Sequence, residues 1–576
     1  MRALLLCFLV VFAGSFAFPQ DRTNARSMVI SPYGIVATSQ VLASQAGAEI
    51  LAHGGSAIDA AIAANATLGV MEPDMNGMGG DLFAIYWDAK TGKVYGLNAS
   101  GWAPKALTID YLKSKGITEM PSVGINTVTV PGAVEGWNKL HLRFGRLPWK
   151  DLFTPAIFYA ESGFPVQELI SMDWHASQSK LRDDPESRRV FLIHDQAPRM
   201  GETFKNPDVA KALHLLATGG PQAYYKGEIA KAILSTSHEF GGTMSAEDLA
   251  DFSAEWVEPI STTYRGWKVY ELPPNGQGMA ALEMLNIMER FEPAKGGPLS
   301  AEELHKRIEA MKLAYADLAR YNADPRFAKV PVTGLLSKDY AKQRAQLIDP
   351  QKANCDTQAG VPPSSDTTYL TAVDREGNIV SLIQSNYSSF GSGVTVRGMG
   401  FALQNRGALF MLDPGKPDAL AGHKRPFHTI IPAFMEKGDD HIGFGIMGGA
   451  NQPLAHAQFV SNVVDYGMNL QAAMETARFT VRSNFDIGCK ILIEDRVPPD
   501  VRQQLSRMGH QLEVRGDFSL YMGRGQAIDH NTQTGLNLAA SDARTDGSAE
   551  PELPPKLRQS MDSGQRPSKI VNSSRQ

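Results

Sequence analysis

Asp366-Thr367-Thr368-Tyr369-Leu370-Thr371-Ala372-Val373-Asp374 begins as a polar junction and continues as a strand. Just upstream, Val361-Pro362-Pro363-Ser364-Ser365 reads as an irregular exposed loop, because Pro and Ser clusters interrupt both ladders and helices. Residues 368–374 and 379–385 read as two strands around Arg375-Glu376-Gly377-Asn378, a hairpin turn. A loop therefore runs into a threonine that opens a strand. Cutting the Asp366–Thr367 bond would give that threonine a free α-amine beside its own hydroxyl. An α-amine titrates at about pH 8, so a neutral, proton-accepting fraction exists at physiological pH. One residue would then supply nucleophile and base. Taken alone, the stretch also fits an ordinary strand-edge threonine, so the reading depends on the rest of the chain.

The chain has 576 residues and a net charge of −5, too mild to point to nucleic acid or a membrane surface. No basic patch with interleaved aromatics occurs. Met1-Arg2, the apolar run Ala3–Phe12 and the small residues ending at Ala17 read as a secretory signal, residues 1–17. That run is too short to span a bilayer, and no later stretch is long enough, so the expected product is secreted, periplasmic or extracellular. Cys7 falls in the signal, leaving Cys355 and Cys489. An exported protein could pair them; two buried small apolar residues is the reading preferred here. No CxxC or HExxH spacing occurs, and neither a metal nor a cofactor is expected.

Small residues around Gly54-Gly55 separate two helical patterns, Gln40–His53 and Ala57–Leu68. Gly77–Gly80 feeds the strand Leu82–Trp87, which returns through Thr91-Gly92 into Val94–Asn98. Asp151–Gly163, Pro207–Thr218, Gly227–Ser235, Gln277–Phe291, Ala301–Tyr321 and Pro453–Tyr466 read as helices, and Ile442–Ile446 as a strand. The polar chain from about Ser541 to 576 is expected to be disordered. Hairpins in clusters with helices in separate runs predict an α+β fold.

Several of these stretches, in order, resemble the γ-glutamyltransferase family of self-cleaving N-terminal-nucleophile (Ntn) hydrolases. They are Ala46–Ala61, Gly77-Met78-Gly79-Gly80-Asp81, Val130-Pro131-Gly132-Ala133, Asp366-Thr367-Thr368-Tyr369, Gly377-Asn378, Ser388–Gly393 and Met447-Gly448-Gly449. The resemblance spans roughly residues 30–545. It implies a four-layer αββα sandwich built from two autoprocessed subunits, residues 18–366 and the catalytic 367–540. It further implies Thr367 as nucleophile, Gly448 and Gly449 as oxyanion hole, and Ser385 as a hydroxyl that hydrogen-bonds the nucleophile. The partners implied are an amide substrate, water or an amino acceptor, and the other fragment of the same precursor. The glycine doublet has an independent rationale: it precedes a helix expected near Gln452, where backbone N–H groups face a ligand. Gly443-x-Gly445-x-x-Gly448 also matches a dinucleotide fingerprint, but its first two glycines fall inside the strand rather than after it. No GxSxG elbow occurs.

The departures from the family concern recognition. The family's carboxylate-binding arginine falls on Ser100, its serine pair on Pro426-Phe427, and the acid that holds the substrate amine on Leu409. Losing every partner of a bidentate clamp removes that recognition. The chain therefore looks closer to the γ-glutamyltransferase-like branch related to cephalosporin acylases. Arg406 and Arg425 become candidates to bind a different acidic acyl group, with structural surface-loop arginines as the alternative. His428 is read as pocket lining or satisfied structure. The expected function is γ-glutamyl transfer or glutathione-type hydrolysis through an acyl-Thr367 intermediate. The rivals are an amidase for other acidic acyl groups and a catalytically dead secreted binding protein of the same fold.

Overall fold

A computed structural model describes residues 24–356, 366–481 and 488–562. The signal stretch 1–17 and the loop 361–365 lie outside the described residues. Two seven-stranded sheets lie face to face. The first runs, in spatial order, 29–31, 536–541, 524–531, 440–447, 433–437, 267–271 and 260–264. The second runs 549–551, 35–38, 366–373, 379–387, 81–88, 93–99 and 255–257, with every neighbouring pair antiparallel. Helices Val41–Ala52 and Ala57–Met71 cover the second sheet, Gly278–Met288 and Gln452–Val464 cover the first, and Ala301–Tyr321 packs on Gly278–Met288. This is the αββα sandwich. Strands from before and after Thr367 alternate within the second sheet, so neither part of the chain owns it.

The two sheets meet closely because glycine stands where they cross. A Cβ at Gly445 would lie 2.4 Å from the Tyr369 ring, and one at Gly443 would lie 2.8 Å from Thr371 Oγ1. The dinucleotide-like spacing is thus a packing feature of the strand Asp440–Met447, which clears space for side chains of Asp366–Val373.

Two expectations need correction. The described part of the tail, to residue 562, is folded: Ala549–Pro551 pairs with 35–37, Glu552 accepts from Gly34 N at 2.8 Å, and Asp542 and Arg544 are buried; residues 563–576 lie outside the described residues. Polar composition misled there because these charges are paired inside rather than solvated. Cys355 and Cys489, read as unpaired, form a disulfide with Cα atoms 5.0 Å apart. Cys355 is itself exposed, which a purely apolar role would not allow.

Candidate active site

The backbone is continuous through Asp366–Thr367, so this is the uncut precursor form. The strand Asp366–Val373 pairs with Ile379–Tyr387, but the register slips at its start. Asp366 opposes Tyr387 and Thr368 opposes Gln384, so two residues, Ser385 and Asn386, face the single Thr367. Such a bulge re-aims side chains and is common beside active sites.

Thr367 is fully buried, and its hydroxyl donates to Ser385 Oγ at 3.2 Å. Ser385 Oγ also accepts from Arg406 Nη2 at 3.0 Å and from Tyr387 N at 2.8 Å. Arg406 Nη1 donates to Thr429 Oγ1 at 2.7 Å. The Thr429 carbonyl accepts from Gln277 Nε2 at 2.5 Å, and the same amide donates to Gly449 O at 2.8 Å. One continuous chain of hydrogen bonds therefore joins Thr367 to the glycine doublet. Gly448 (φ 139°) and Gly449 (φ 60°) lie in the left-handed half of backbone space, at the turn into Gln452–Val464. Helix-entry N–H groups lack intrahelical partners there.

Arg406 is fully buried rather than on a surface loop. Its guanidinium lies 4.4 Å from the Tyr387 ring centroid, and its Nε has no hydrogen-bond partner among the described residues. Among the described residues no carboxylate is ion-paired with it. Burial pulls its pKa down to about 10, against the opposing field of Asp81, so it stays cationic at neutral pH. Leu409 and Phe427 are buried apolar residues.

Ser100, Arg425 and His428 belong to an adjoining cluster instead. Ser100 Oγ donates to Asn98 Oδ1 at 2.7 Å, and Asn275 bridges Asn98 to the Pro426 carbonyl. Arg425, also buried, donates to Ser100 O and to Glu255 Oε2, both at 2.9 Å. It lines a cavity of about 200 Å³ with Asn98, Glu255, Asp324 and Arg326. His428 Nε2 meets Asp81 Oδ2 at 3.1 Å. Burial, with Arg406 and Arg425 nearby, pushes the His428 pKa well below its usual value, so the ring is neutral. Burial pushes Asp81 up to about 7, although Arg406 and the N–H groups of Gly101 and Gly132 oppose the rise.

Three contributors were not singled out from sequence. Tyr387 lies two residues beyond Ser385 on one strand, so period-2 alternation would have placed them together. Its positive φ (79°) carries no sequence signal. Gln277, the link to Gly449, is likewise silent in sequence. Glu72 accepts from Thr368 Oγ1 at 2.9 Å and from Ser39 Oγ at 2.7 Å, behind the strand. Burial pushes its carboxyl up to about 7 despite those hydrogen bonds.

Among the described residues one group has metal-ligand geometry: His305, Glu309 and His510, with donor atoms within 4.8 Å of one another. These groups already engage each other and their neighbours. The two imidazoles share a 2.7 Å hydrogen bond, and Lys312 holds Glu309 at 2.7 Å. They take no part in the Thr367 chain.

Chains of similar sequence share this arrangement's framework. The family model described as Gamma-glutamyltranspeptidase matches residues 43–552. The glutathione hydrolase-like YwrD proenzyme of Bacillus subtilis (strain 168) is 37% identical over 529 residues, 91% of this chain and 98% of that one. The oxamate amidohydrolase proenzyme of Klebsiella pneumoniae is 34% identical, over 90% and 98% of the two chains. The crystal structure of cephalosporin acylase from Bacillus halodurans superposes with a TM-score of 0.87 at 41% identity, covering 95% of this chain and all of that one. With a buried threonine hydrogen-bonded toward a glycine doublet inside this sandwich, the chain is an enzyme of the gamma-glutamyltranspeptidase family, within the Ntn hydrolases.

Proposed function

We propose that this protein is an exported, autoprocessing N-terminal threonine amidohydrolase. Its proposed donors are amides of acidic acyl groups that lack an α-ammonium. The observation carrying the donor class is Arg406, a buried cation with no carboxylate in direct ion pair among the described residues, one hydroxyl away from Thr367. A donor carboxylate would supply the missing partner through a charge-assisted contact. Leu409, where the resemblance puts the acid that holds a substrate amine, leaves nothing there to hold an ammonium. The relatives' names favour γ-glutamyl, glutathione-type donors as the second reading. The disulfide supports export, since such bonds persist in oxidising compartments.

In the precursor the Thr367 nitrogen is an amide and cannot act as a base. Attack of Thr367 Oγ on the Asp366 carbonyl carbon converts the peptide into an ester. The C–N bond breaks in that step, the freed α-amine taking up the hydroxyl proton, and water then hydrolyses the ester, restoring the Thr367 hydroxyl and leaving fragments 18–366 and 367 onward. In turnover the amine takes the hydroxyl proton as Oγ attacks the substrate carbonyl, and the Gly448 and Gly449 peptides face the oxyanion. Collapse breaks the C–N bond, the leaving amine takes back the proton, and water then resolves the acyl-Thr367. Ser385, held by Arg406 and Tyr387 N, keeps the nucleophile oriented.

On a reducing gel the wild type is expected to give two bands, the smaller beginning at Thr367. Thr367→Ala should remain intact and lose at least about 10⁴-fold in rate; a variant that still splits there refutes the assignment. Hydrolysis of glutaryl and γ-glutamyl anilides tests the donor class, with the glutaryl compound expected to be preferred. A strong preference for the γ-glutamyl compound would restore the second reading.

A further inference from the structure

Cys355 and Cys489 are 134 residues apart, and the proposed cut at Asp366–Thr367 lies between them. We infer that the mature enzyme, given the cleavage proposed above, is one covalent molecule whose two fragments are joined by the Cys355–Cys489 disulfide.

The bridge is the centre of a seam between the two fragments. Ala353 N donates to Met508 O at 2.7 Å, and the His305 and His510 rings share their 2.7 Å hydrogen bond across the same boundary. Asn354 is gripped from the upstream side, its N–H by Glu309 at 3.2 Å and its carbonyl by Lys312 at 2.8 Å. Lys312 also lies 3.8 Å from Cys489 Sγ. The last described residues before the cut are thus held on the helix Ala301–Tyr321 and on the downstream segment around Cys489 and Met508. Burial, with Lys312 and His305 adding to it, pulls the His510 pKa down to about 3, so that imidazole stays uncharged at neutral pH.

The bridge determines what happens when the processed protein unfolds. Two unlinked fragments must find one another by diffusion. Two linked fragments meet at an effective concentration on the order of millimolar.

The test uses full-length protein with free thiols blocked before denaturation. A single full-length band without reductant and two bands after a dithiol reductant are expected. In Cys489→Ser, and independently Cys355→Ser, two bands should appear without reductant. Refolding of the bridged protein should keep its yield over about a hundredfold dilution, while the yield of the reduced, thiol-blocked protein falls. Two bands in both lanes overturn the inference at the bridge. A single band in both lanes overturns it at the cut, and peptide mapping of the Cys355–Cys489 linkage then separates that failure from loss of the disulfide.

Discussion

Two fully buried arginines in this protein have opposite surroundings. Arg544 donates to Glu494 Oε2 at 2.6 Å and to Asp542 Oδ1 at 2.9 Å, and Arg478 holds the other Asp542 oxygen at 2.7 Å. Burial would lower its pKa, but Asp542 and Glu494 outweigh that and raise it. Among the described residues Arg406 donates to two hydroxyls, and burial outweighs the field of Asp81 and lowers its pKa to about 10. A buried charge with its counter-ions in place maintains a fold. A buried charge without one is costly, and it persists where a ligand supplies the counter-ion. The difference sets a structural cluster apart from the binding site proposed at Arg406.

The largest effect should fall on the paired arginine. Arg544→Met leaves Asp542 and Glu494 short of a partner and should cost about 3–5 kcal/mol of stability. Protein that still folds should keep its kcat/KM. Urea unfolding alongside kinetics checks both, and a stable but inactive Arg544→Met would break the contrast. Arg406→Met should do the reverse. Its stability should be unchanged or higher, while kcat/KM for an acidic donor falls about 10²–10³-fold, the scale of a lost buried charge contact. An equal loss with a neutral acyl donor would mean that Arg406 acts only through Ser385.

Glu72 sharpens the contrast from the anionic side. Its carboxyl holds a proton up to about pH 7 in the fold, against an ordinary value of 4.5. Between those values the unfolded chain is ionised and the fold is not, so its contribution to stability declines as pH rises from 4.5 to 7. Glu72→Gln removes that decline. The variant's stability relative to wild type should climb across the same window, by up to about 3 kcal/mol, and thermal melts at pH 4.5 and 7.5 measure it. A pH-independent difference would mean that Glu72 is ionised in the fold.

Much of this was legible in the chain. Ala301–Tyr321 follows its helical period, and the hairpin at Thr367 follows strand alternation around a turn. The glycine doublet was readable because few other residues suit such a turn. The bulge opposite Thr367 was not, because it depends on which residues of two strands pair rather than on either strand's composition. Gln277 was silent because its role is set by two carbonyls, those of Thr429 and Gly449, that come together only in the fold. The stretch after Ser541 was misread because hydropathy does not distinguish a solvated charge from one locked to a buried partner.

The interlacing of strands in the second sheet fixes an order of events for biogenesis. Strand 366–373 sits between 35–38 and 379–387, and 549–551 closes the same edge. A polypeptide synthesised from Thr367 onward would lack the neighbours that complete its ladder, so the cut proposed at Asp366–Thr367 would have to wait until the whole sandwich has assembled. Maturation is then a report that folding has finished.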